Sequence, residues 1–79
     1  TKEKETELIM QLAEDVAPFV RDVESGLKTT RNNYGRYGAM LTRLSKGNRK
    51  MAYILGYAMM KAGANGQGVH DALQAFFPE

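Results

Sequence analysis

Residues 8–23, LIMQLAEDVAPFVRDV, decide the fold. Ile9, Leu12, Val16, Phe19 and Val23 fall on alternating steps of three and four, and Leu8, Val20 and Leu27 widen the stripe. That spacing is the signature of an amphipathic helix with one buried face. Glu3, Glu5 and Glu7 near its start suit the positive end of the helix dipole. Pro18 removes one backbone hydrogen bond from the middle of the helix. The apolar phase runs unbroken across it, so a kink is expected rather than a change of direction. Ser25-Gly26 supplies the stop.

The same periodicity recurs downstream. A second helix is expected over 30–44, with Tyr34, Tyr37, Leu41 and Leu44 on one face, Met40 at its edge, and Arg36, Arg43 and Asn32 opposite. Gly35 and Gly38 each weaken it by ~1 kcal/mol relative to alanine. Ser45-Lys46-Gly47-Asn48 reads as a turn with Asn48 capping the next helix. That third helix, expected over 49–62, is apolar on two sides. Met51, Ile54, Leu55, Ala58 and Ala62 make one face, and Tyr53, Gly56 and Met60 make the reverse, flanked by Arg49, Lys50, Tyr57 and Lys61. A helix apolar on both sides is buried on both sides, which makes this one a central helix or an oligomer interface. Gly63-Ala64-Asn65-Gly66 ends it, and a short fourth helix over 67–77 presents Val69, Leu73, Phe76 and Phe77. No stretch alternates with period two. The expected fold is all-α: a compact bundle of about four short helices in a single domain over 1–79, the first helix long and kinked near Pro18, the whole oligomeric.

Charge is segregated along this frame. Between Glu24 and Asp71 there is no acidic residue in 46 positions, against eight basic ones: Lys28, Arg31, Arg36, Arg43, Lys46, Arg49, Lys50 and Lys61. Seven of the nine carboxylates precede Ser25. A one-signed surface concentrates polyanions where a mixed one does not. With no cysteine there is no disulfide, thiolate metal site or cysteine nucleophile. No apolar run reaches the ~20 residues that span a bilayer, and the charged start is unlike a signal peptide. The expectation is a cytoplasmic protein with no membrane partner, no cofactor and no metal.

Catalytic constellations are nearly absent. His70 is the sole histidine, and Asp71 points about 100° away on a helix, so the two form no side-by-side pair. Glu14-Asp15 reads as a solvated face, and neither Ser25 nor Ser45 sits in a nucleophile motif. The chain is therefore read as no enzyme. Of the glycines, Gly26, Gly47, Gly63 and Gly66 fall at turns, whereas Gly35, Gly38 and Gly56 are read as sites of close helix packing.

Residues 59–73 resemble the helix-turn-helix pattern of DNA-binding repressors. Ala62-Gly63-Ala64 stands in the turn, Val69 and Ala72 at buried positions of the second helix, and Gln67, His70 and Gln74 as base-reading candidates. Met59 departs from it, standing four residues before the glycine where the pattern prefers a small side chain, and so does Asp71 in the would-be recognition helix.

The leading expectation is a nucleic-acid-binding regulatory or accessory protein of phage or plasmid type, with DNA favoured over RNA. Arg36, Arg43, Lys46, Arg49 and Lys50 would hold phosphates, with Tyr57 and Lys61 as outer contacts. The alternative is an adaptor or inhibitor that docks on an acidic protein surface through Tyr53, Gly56 and Met60.

Overall fold

In the computed structural model, which describes residues 2–26 and 34–79, the chain folds into α1 (Lys2–Gly26), α2 (Tyr34–Ser45), α3 (Arg49–Lys61) and α4 (Gly66–Phe76). The described residues contain no strand. The all-α expectation holds. The first four positions expected of the second helix, with Asn32, lie outside the described residues, as do Leu27, Lys28 and Arg31.

α1 is continuous across Pro18, which is exposed. At 1.5 Å per residue its 25 residues span about 37 Å, close to the 39 Å long axis of the molecule. The other helices are 11 to 13 residues long. α1 enters the core through Val16, Val20 and Val23, with Leu12 and Phe19 packed against its edge. Leu8 is 41% exposed, and Ile9 and Leu12 are only half-buried.

α3 packs against α1, α2 and α4. This accounts for its two apolar sides: it is the central helix. Tyr37, Leu41, Ala52, Leu55, Met59, Val69, Ala72 and Phe77 complete the cluster around it. Each large side chain fully buried there contributes about 1.5–3 kcal/mol. The burial phase differs from the sequence expectation in two helices. In α2, Tyr37, Gly38, Leu41 and Ser45 are buried, while Tyr34 and Leu44 flank the core, 38% and 43% exposed. In α3, Ala52, Gly56 and Met59 are buried, whereas Met51 and Ile54 are only partly so. The physical reason is α4, which packs on the Gly56 side of α3 and turns the buried arc toward itself.

Two glycines permit that packing. A Cβ on Gly38 would stand 2.2 Å from the Phe76 ring, and one on Gly56 would stand 3.1 Å from Val69 Cγ1 and 3.2 Å from Leu73 Cδ1. Gly35 has nothing within 4 Å, so close packing does not explain it.

Candidate nucleic-acid interface

Both inter-helix turns at the ends of α3 have the same construction. After α2, Lys46 (φ 56) and Gly47 (φ 80) adopt left-handed backbone. Gly47 N–H donates back to the Thr42 carbonyl at 3.3 Å, the outer bond of a Schellman motif. Asn48 then caps α3, its Oδ1 accepting from Met51 N–H at 2.8 Å. After α3, Gly63 (φ 108) takes the left-handed position, Ala64 N–H donates to the Met59 carbonyl at 2.9 Å, and Asn65 Oδ1 accepts from Gly68 N–H at 3.0 Å. The Asn48 cap matches expectation. The Asn65 cap was hidden within what reads as a glycine-rich loop.

The first turn is ringed by cations. Arg43 ends α2, Lys46 occupies the left-handed corner, and Arg49 and Lys50 open α3; all four are exposed. At about 100° per residue, the outward arc of α3 continues from Arg49 through Met60, Tyr53, Tyr57 and Lys50 to Lys61, about 120° in width. Tyr57 is 47% and Met60 42% exposed, and Tyr53 is half-buried. The Lys61 ammonium sits 5.4 Å from the centre of the Tyr57 ring, in cation–π range. No residue of α3 is acidic. Over its 13 residues the arc is about 18 Å long.

Two neighbours touch its edge. Arg49 Nη1 donates to the Pro78 carbonyl at 3.2 Å, and Tyr53 Oη donates to the Phe77 carbonyl at 3.4 Å. Glu79 lines an open groove of about 370 Å³ with Arg49, Lys50 and Tyr53.

The structure thus sets Arg49, Lys50, Tyr53, Tyr57, Met60 and Lys61 on one arc with Lys46 beside Lys50 in a shared groove, whereas Arg43 lines a separate groove with Phe19, Arg36, Ala39 and Met40. Gly56 is the exception in the expected partner face, since it lies under Val69 and Leu73 of α4. Arg36 is set apart. Its guanidinium pairs with Asp22 at 3.1 Å and lies 5.9 Å from the Phe19 ring centre.

On α4, Val69 and Ala72 are buried where the helix-turn-helix resemblance puts them, and Gln67, His70 and Gln74 are exposed. Met59 is fully buried, and the close crossing occurs at Gly56 instead of at the position before Gly63. His70 Nδ1 lies 3.6 Å from Asp71 Oδ1, which corrects the expectation that the two stay apart. Asp71 also accepts from Gln67 Nε2 at 2.8 Å. Among the described residues no cluster of His, Cys, Asp and Glu has metal-site geometry, and no helix is long and apolar enough to cross a membrane.

One polar junction escapes sequence reading. Glu24, half-buried at the end of α1, accepts from both Tyr37 Oη and the Asn65 N–H, the latter at 2.8 Å. It ties α1 to α2 and to the second turn. Burial, and then the Glu24 carboxylate, hold the Tyr37 hydroxyl well above the ordinary tyrosine pKa, so it stays a donor.

The described residues therefore define an all-helical protein of four helices with a cationic, tyrosine-bearing arc on the central one. Comparison with known proteins finds no matching family model, no matching characterised protein and no matching solved structure.

Proposed function

We propose that this protein is a non-enzymatic nucleic-acid-binding factor of regulatory or accessory type, acting in the cytoplasm, with DNA favoured over RNA. The observation that carries the reading is the outward arc of α3, on which Arg49, Lys50 and Lys61 alternate with Tyr53 and Tyr57; no residue of the helix is acidic, and Glu79 borders the arc only at its Arg49 end. Lys46 extends it across the turn, beside Lys50, and Arg43 adds an exposed cation in the last turn of α2. In this account the five cations hold phosphates. The α3 N-terminus adds unpaired backbone N–H groups of the right polarity, and Tyr57 stacks on or packs against a base. Measured along the duplex axis, at 3.4 Å per base-pair step, the arc covers about five steps. Arg36, neutralised by Asp22, stands outside the contact set. Two further elements belong to the same reading: a bend of α1 at Pro18, which sets the direction of its amino-terminal half, and assembly into a homo-oligomer.

The second reading is docking on an acidic protein through the same arc, and the exposure of Met60 beside Tyr57 favours it. Fluorescence anisotropy with labelled duplex and single strands separates the two. Under the first reading Lys50→Ala weakens binding and flattens its salt dependence by about 0.9 per lost phosphate contact on duplex, while Arg36→Ala changes neither. Absence of binding at low salt refutes the nucleic-acid reading.

A further inference from the structure

We infer that the amino-terminal half of α1 docks into a groove of a second copy of this chain, in a reciprocal two-fold dimer. This inference rests only on the oligomeric part of the proposed function. Leu12 is the first α1 residue packed against the core, so nearly three turns of α1 precede it, and an isolated helix of that length is marginal in water. Along the overhang, Leu8 and Ile9 prolong the core stripe and remain partly exposed, and Leu12, at the edge of the core, is half-buried. Glu5 and Asp15 stand beside them on the wheel, at about 100° per residue. Residues 2–15 carry five carboxylates against two lysines.

A surface of complementary chemistry lies at the same end of the molecule. Glu24, near the end of α1, meets Asn65, just beyond the end of α3. The two helices therefore run in the same direction, and the start of α3 lies toward the overhang. There, Leu44, Met51 and Ile54 line an open groove of about 450 Å³ whose other walls are Ser45, Lys46, Asn48 and Lys50. Of its apolar residues, Leu44 and Ile54 lie outside the core cluster, and Met51 packs against its edge. Leu44 is 43% exposed, and Met51 and Ile54 are half-buried.

Charge selects the occupant. Laying one overhang against another sets carboxylate against carboxylate, which is repulsive. Laying the overhang in the groove of a second copy covers Leu8, Ile9 and Leu12 with Leu44, Met51 and Ile54. It also brings Glu5 and Asp15 toward Lys46 and Lys50. Because overhang and groove sit at one end of each chain, a two-fold axis makes both contacts at once, the self-complementary arrangement of an isologous dimer. Lys46 and Lys50 then divide their charge between the partner's α1 and a bound polyanion, so added nucleic acid loosens the dimer.

A charge-swap experiment tests the pairing by sedimentation equilibrium, with circular dichroism confirming helix content. Glu5, Asp15, Lys46 and Lys50 are all exposed, so their substitution spares the core. Wild type is expected to dimerise, more weakly at high salt. Glu5→Lys with Asp15→Lys, and separately Lys46→Glu with Lys50→Glu, should each weaken the dimer on the order of a hundredfold. The four substitutions combined should restore it. Leu44→Ser should weaken it without altering charge. A wild type that is monomeric throughout overturns the inference. So does a dimer that Glu5→Lys/Asp15→Lys strengthens and Lys46→Glu/Lys50→Glu leaves alone, the pattern of α1 pairing with α1. Nucleic-acid binding is read separately on the Glu5→Lys/Asp15→Lys protein, which keeps every proposed phosphate contact. Loss of dimer with binding retained, and dimer without binding in wild type, are therefore distinct results, and both support the docked α1.

Discussion

The two turns that bracket α3 share one backbone design and differ in what they spend on it. The second turn obeys local preference: Gly63 fills the left-handed position and Glu24 anchors the Asn65 amide. The first turn breaks two preferences at once. Lys46 holds a left-handed backbone that costs a side-chain-bearing residue roughly 1–2 kcal/mol. Arg49 and Lys50 occupy the first turn of α3, where the positive end of the dipole disfavours cations. Departures from local preference concentrate at functional sites, and a bound phosphate would relieve the second cost. The second turn thus follows local preference and the first departs from it, a departure that the proposed function would explain by a bound polyanion.

The largest expected effect lies at the stable turn. Glu24→Ala removes the acceptor of both Tyr37 Oη and Asn65 N–H and should cost about 2–3 kcal/mol in urea denaturation. A loss below about 0.5 kcal/mol would remove the anchoring role from the account. Next come the two left-handed positions. Gly63→Ala should destabilise by about 1–2 kcal/mol, whereas Lys46→Gly should stabilise by about 1 kcal/mol and still weaken polyanion binding. If Lys46→Gly moved stability and binding in the same direction, the contrast between the turns would fail.

Beside Lys46, the Ser45 hydroxyl is buried and has no hydrogen-bond partner among the described residues. Ser45→Ala should stabilise the fold by about 1 kcal/mol in thermal melts. The smallest effect is on the pH profile. Tyr37 has a raised pKa in the folded state, so the protonated hydroxyl favours folding. Its contribution is complete below the unfolded tyrosine value and is lost as pH rises above about 10. Tyr37→Phe should flatten the alkaline limb of stability against pH, and an unchanged limb would dismiss the Tyr37 contribution.

Much of this was legible in sequence because it is local. The α1 stripe, the Asn48 cap and the cluster Arg43, Lys46, Arg49 and Lys50 are set by residues close together in the chain. Gly38 and Gly56 also announced close packing, since helix interiors disfavour glycine. What stayed hidden depends on which helix meets which. Glu24 reads as one more carboxylate of an acidic segment until α1 is laid against Tyr37 and Asn65. Arg36 reads as a phosphate ligand until Asp22 lies opposite it. The two sides of α3 could not be ranked until α4 covered Gly56. That packing leaves Tyr53, Tyr57 and Met60 outward together with Arg49, Lys50 and Lys61.

The most direct test of the nucleic-acid reading is the affinity for random duplex DNA between about 50 and 200 mM salt. With five cations engaged, the slope of log affinity against log salt should approach about −4.5 on duplex. A slope near zero, or no binding at the low-salt end, would contradict it.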